Sequence, residues 1–108
     1  RTLFYWPDVP SDLIEADEAH ASTTPATLGR DALTPGIVHE AAARIAVPVL
    51  VVQSDIDTSP APENEPAYYS ASPAVELQIV KDAAHCQNFA GTRSKHWADL
   101  NDWIDRTS

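Results

Sequence analysis

The sequence predicts an α/β chain: two parallel strands flanked by helices. Three observations predict it. Val47-Pro48-Val49-Leu50-Val51-Val52 is a nearly unbroken, β-branched apolar run, and a strand that does not alternate apolar with polar suits a parallel sheet covered on both faces. Leu77-Gln78-Ile79-Val80 is a second short β-rich run. Helical signals lie between and after the two, as a crossover between parallel neighbours requires. Each run also stops at a polar loop, Gln53 to Asp57 in one case and Lys81 to His85 in the other. Functional groups gather at the carboxyl ends of strands in such sheets.

The elements follow in order. Leu3-Phe4-Tyr5-Trp6-Pro7 opens the chain with three adjacent aromatics, which either pack on a core or line a pocket. Ser11 reads as the N-cap of a helix over residues 12–20, with early acids and a late His20 matching the helix dipole. Residues 21–33 are rich in Ser, Thr, Ala and Pro and read as loop. Thr34-Pro35 reads as N-cap and first helical residue, predicting a helix over 35–44 with Ile37, Val38 and Ala41 inward. The first strand follows over 47–53, then a polar loop to Glu63 and a short helix over 64–70 that brings Tyr68 and Tyr69 back toward the sheet. The second strand spans 75–80. Thr92 reads as the N-cap of a last helix over 93–105, its stripe of Trp97, Leu100 and Ile104, extended by Trp103, facing the sheet. His39 and His96 read as surface residues.

Composition narrows the function classes. The chain has 108 residues, at most one domain, and is 44% apolar. Its net charge of -9 argues against nucleic acid or an anionic membrane as a partner. No apolar run approaches the ~18 residues of a membrane span. One cysteine, Cys86, excludes an internal disulfide and is compatible with a reducing cytoplasm. His85 beside Cys86 falls short of the three or four ligands of a zinc site, so no metal or cofactor is expected. The sequence contains no Met, and two parallel strands alone leave open edges and uncovered faces. Further strands are therefore expected from another portion, a second chain or a second copy.

An acid and a histidine at the ends of adjacent strands suit a relay. The carboxylate fixes the imidazole tautomer and stabilises the imidazolium, and the imidazole takes a proton from a hydroxyl or thiol. An Asp and a His at this separation also occur together by chance, so the pair alone decides nothing.

The local sequence adds to that. Ile45-Ala46-Val47-Pro48-Val49-Leu50-Val51-Val52-Gln53-Ser54-Asp55-Ile56-Asp57 resembles the I-x-x-P-v-L-v-x-x-G-x-x-D segment of the α/β-hydrolase family. Asp82-Ala83-Ala84-His85-Cys86-Gln87-Asn88-Phe89 resembles that family's histidine loop, and the stretch around Trp97 to Ile104 resembles its last helix. The resemblance covers residues 45–105. It implies a C-terminal portion of an α/β-hydrolase core over 45–108, with residues 1–44 as a helical cap or lid segment. It implies Asp57 as the triad acid and His85 as the general base, with Asp55 the competitor for the acid. Ser54 and Ala84 depart from the pattern, standing where the family favours Gly.

The larger departure is the nucleophile elbow. No G-x-S-x-G occurs, and Gly29, Gly36 and Gly91 frame no serine. The resemblance therefore implies a serine hydrolase portion that supplies acid and base to a nucleophile carried elsewhere, acting on an ester or related acyl bond of a small molecule. On its own the chain is expected to be inactive. The rival reading is a non-catalytic α/β module that pairs its open sheet edge in binding or assembly.

Overall fold

A computed structural model of the protein describes residues 2–108. It is a mixed α/β structure with a two-stranded parallel sheet and several helices. Strand β1 spans Val49–Ser54 and β2 spans Val75–Val80. They pair in register from Val49 opposite Val75 to Ser54 opposite Val80. β1 begins two residues later than expected because Pro48 has no N–H to give to a ladder. Pairing starts where Val49 N–H reaches the Ala74 carbonyl at 2.9 Å.

The described residues form four α-helices: α1 (Ser11–Ala19), α2 (Ala26–Ala32), α3 (His39–Ala42) and α4 (Arg93–Thr107). Ser11 is already helical, and the cap position belongs to Pro10. α2 lies in the stretch read as loop, where Pro25 stands at the cap position before Ala26-Thr27-Leu28. The helix expected over 35–44 shrinks to the single turn α3. Gly36 takes φ 80°, a left-handed value that breaks a right-handed helix at its second residue. His39 is exposed, as expected, and stacks on Tyr68 with ring centroids 4.2 Å apart. Between the strands the helix is a 3₁₀ helix, Pro62–Tyr68, with Pro66 inside it. A proline there removes a donor that an α-helix would need.

The last helix is rotated from its expected face. Its buried residue is His96, not a surface histidine, and Trp97 and Ile104 are exposed. Polar contacts set the rotation. Gln78 Nε2 of β2 lies 3.4 Å from His96 Nδ1 and donates to Asp99 Oδ2 at 3.3 Å. Two turns past Asp99, Arg106 grips both oxygens of Glu76 at 2.9 and 3.1 Å. Thr92 occupies the cap position, but its hydroxyl donates to the Lys81 carbonyl at 2.8 Å instead of capping the helix.

The core is small. Val80, Ala83 and Ala90 form its centre, with Val52 packed against them. Among the described residues no large side chain is fully buried. Neither α1 nor α2 buries a residue, and isolated helices of this length are marginal in water. The surface is 7463 Å², against roughly 5,900 Å² for a compact protein of this mass. The radius of gyration is 15.6 Å, against about 13 Å for a compact chain of this length. Leu33, Val38 and Val47 stand more than half exposed. The strands are half-buried along most of their length, so the sheet lacks the two-sided cover that its apolar sequence suits.

Candidate active site

The two loops that leave β1 and β2 are tied together before any functional group is placed. Asp55 N–H donates to the Val80 carbonyl and Ile56 N–H to the Ala83 carbonyl, both at 3.2 Å. These bonds extend the contact between the strands past their ends. Asp55 adds a side-chain staple. It accepts Lys81 Nζ at 2.8 Å and Asp82 N–H at 2.9 Å. Asp82 has φ 52°, the one positive value on a non-glycine among the described residues. Asp tolerates that conformation better than most residues, and the Asp55 bond holds it. The Lys81 hydrogen bond, then the Asp82 N–H, keep the Asp55 carboxyl below its usual range.

Asp55 is thus committed to holding the loops together, and Asp57 faces the histidine. Asp57 Oδ1 lies 2.6 Å from His85 Nδ1. Oδ1 also accepts Thr58 N–H at 2.8 Å, and Oδ2 accepts Ser54 N–H at 2.9 Å. Gln87 Nε2 lies 3.5 Å from Oδ2. The Asp57 side chain is 5% exposed and that of His85 44%. Burial opposes ionisation of Asp57, but the bonds from His85, Thr58 and Ser54 outweigh it and hold its carboxyl below the usual range. An ionised Asp57 accepts from Nδ1–H, which leaves Nε2 as the basic nitrogen. Nε2 meets no hydrogen-bonding partner among the described residues.

The two departures at glycine positions are accommodated. Neither Ser54 nor Ala84 takes a positive φ. Ala83 and Ala84 are 0% and 1% exposed and anchor the turn that presents His85. Two buried polar atoms nearby, Gln53 Oε1 and Ser54 Oγ, find no partner.

A cleft of about 690 Å³ opens beside His85, lined among others by Phe4, Tyr5, Asp17 and Cys86. The opening aromatics therefore divide their roles, with Phe4 and Tyr5 lining the cleft. Phe4 meets the His85 ring edge-on with centroids 5.8 Å apart, and Tyr5 stacks on Phe89 at 6.2 Å. Tyr5 also donates its hydroxyl to Asp17 Oδ2 at 2.6 Å. That bond, with lesser contributions from burial and the Asp17 charge, raises the Tyr5 phenol to about 12. Cys86 is half-buried. Burial pushes its thiol up, and Asp17 and Asp57 push it further, so it is poorly suited to act as a thiolate nucleophile. Among the described residues, no three His, Cys, Asp or Glu side chains cluster to hold a metal. No described helix is long and apolar enough to cross a membrane.

Sequence reasoning missed Gln87 and the N-terminal main chain. His85 N–H donates to the Leu3 carbonyl at 3.0 Å and Cys86 N–H to the Phe4 carbonyl at 2.9 Å. No local pattern could have paired segments so far apart in sequence. No family model matches this chain, and no match was found among curated proteins or solved structures.

Proposed function

We propose that this chain is the C-terminal portion of a serine hydrolase of the α/β-hydrolase type, with residues 1–44 as its cap segment. It supplies Asp57 as the acid and His85 as the general base to a serine carried outside this sequence. One observation carries the reading: a buried Asp57 carboxylate, oriented by two backbone N–H groups, holds Nδ1 of a half-exposed His85 whose Nε2 is open.

The chemistry follows from that geometry. Nε2 removes the serine hydroxyl proton as the serine oxygen bonds to the acyl carbon of an ester or related small molecule. The imidazolium, stabilised by Asp57, returns the proton to the leaving alcohol as the acyl–oxygen bond breaks. Water, deprotonated by the same nitrogen, then cleaves the acyl-enzyme and releases the acid. No step calls on a metal or a cofactor. The surface excess and the uncovered sheet support a companion portion, in the same or a second polypeptide, that covers the strands. A cytoplasmic setting belongs to this reading and rests on the lone Cys86 thiol.

A second reading is a binding or assembly module, favoured by the exposed Leu33, Val38 and Val47 and by the lack of a serine elbow. Native and denaturing mass spectrometry of one sample, with fluorophosphonate labelling, separates the two. A companion polypeptide labelled at a serine supports the hydrolase. An assembled sample without labelling supports the module.

A further inference from the structure

The His85 loop is held from outside by a segment nearly the whole chain away. Leu3 and Phe4 carbonyls accept the N–H groups of His85 and Cys86. The Phe4 ring lies edge-on against the imidazole. Tyr5 stacks on Phe89 and reaches back to α1 through Asp17. At the far end of the loop Asp8 Oδ2 accepts Gly91 N–H at 3.1 Å. A Cβ at Gly91 would meet that carboxylate and push the Asp8 side chain aside, so glycine lets the two approach closely. Val9, two residues past Pro7, is buried.

We propose that residues 3–8 form a strap that positions His85, with Phe4 as the positioning residue for its imidazole. Asp57 supplies one hydrogen bond to the ring, and a single bond leaves the ring free to rock about it. The main-chain bonds from the strap fix the backbone at His85 and Cys86, and the Phe4 edge closes off one side of the ring. Nδ1 then stays on Asp57 and Nε2 stays toward the cleft. The catalytic consequence rests on the hydrolase reading, but the strap concerns this chain's own loop and is measured without turnover.

The test is nitrogen–proton NMR of the full chain, reading which nitrogen of His85 carries the proton, with hydrogen exchange of the His85, Cys86 and Gly91 amides. In the native chain His85 holds the Nδ1–H form and the three amides are protected. Phe4 is 46% exposed, so Phe4→Ala leaves the fold intact, which circular dichroism verifies. Loss of the edge-on ring pair raises the Nε2–H population by about 3- to 10-fold. Phe4→Tyr restores the native pattern. Asp8→Ala speeds exchange at Gly91, and Asp8→Asn, which keeps an acceptor oxygen, restores protection. A Phe4→Ala spectrum identical to the native one overturns the strap, as do free-rate amides at His85 and Cys86 in the native chain. Failure to find a serine partner retires the hydrolase reading while leaving these results standing.

Discussion

Replacing Asp57 by Asn tests the dyad with the least change in shape. Asn keeps one oxygen and substitutes an NH₂ for the other, so the structure must choose which bonds to keep. With the NH₂ at the Oδ2 position, it meets Ser54 N–H donor to donor, and Ser54 is 5% exposed and beyond the reach of water. With the NH₂ at the Oδ1 position, the lost partner is Thr58 N–H, which lies at the surface. The second arrangement costs less, because an unsatisfied buried donor loses its full solvation. The NH₂ then faces His85 Nδ1, which must accept, and the imidazole proton moves to Nε2. The base is blocked with little change in the fold. Exchanging a charged for a neutral hydrogen bond costs about 1 kcal/mol, roughly 4–8 °C in melting midpoint for a chain of this size. On the proposed hydrolase reading, turnover of the assembled enzyme falls by about 10⁴-fold, the effect of losing the correct tautomer in a worked triad. Nitrogen–proton NMR reads the His85 tautomer directly in the Asn variant. A retained Nδ1–H form refutes the reasoning, as does near-normal turnover. Asp55→Asn is the control: it disturbs the Lys81 staple and leaves the His85 tautomer unchanged.

The acid limb of stability should follow three carboxylates. Asp57 is depressed on balance despite its burial, Asp55 chiefly by Lys81, and Glu76 by Arg106. Their folded values lie below the unfolded ones, so their contribution is present above about pH 4 and lost as pH falls through the folded values. Urea midpoints across that range measure it; a midpoint that does not fall below about pH 4 contradicts it. Tyr5, raised to about 12, has the opposite sign. Its contribution is present below about pH 10 and is lost as pH rises through the folded value. Ultraviolet titration should show Tyr5 ionising late, and Asp17→Asn should lower the pH at which it does so.

Where the sequence was informative, the signal was local and strong. β2 runs from Val75 to Val80 as expected, because a short β-rich run between Ser72-Pro73 and Lys81-Asp82 has clear ends. The placement of Asp57 beside His85 follows from two parallel strands ending at the same edge. Other elements turned on competing signals. Thr34-Pro35 is a good helix start, yet Gly36 one residue later takes a left-handed φ and delays the helix to His39. α2 was hidden by the Ser, Thr and Pro around it. On α4 the apolar period pointed Trp97 inward, but Gln78 and Glu76 turned His96 and Arg106 toward β2 instead. The strap was beyond local reading, since Asp8 and Gly91 lie 83 residues apart.

The ladder bonds that continue past β1 and β2 carry a thermodynamic consequence. With Asp55 and Ile56 tied to the Val80 and Ala83 carbonyls, the acid loop and the base loop are joined through the main chain as well as through Asp57 and His85. On the proposed hydrolase reading, the proton relay is therefore assembled before any serine arrives. Docking of the nucleophile-bearing portion that this reading requires would meet a preorganised receptor, and little of the association free energy would be diverted into ordering these loops. On that reading assembly sets how much active enzyme exists, while the Asp57–His85 geometry is a property of this chain alone.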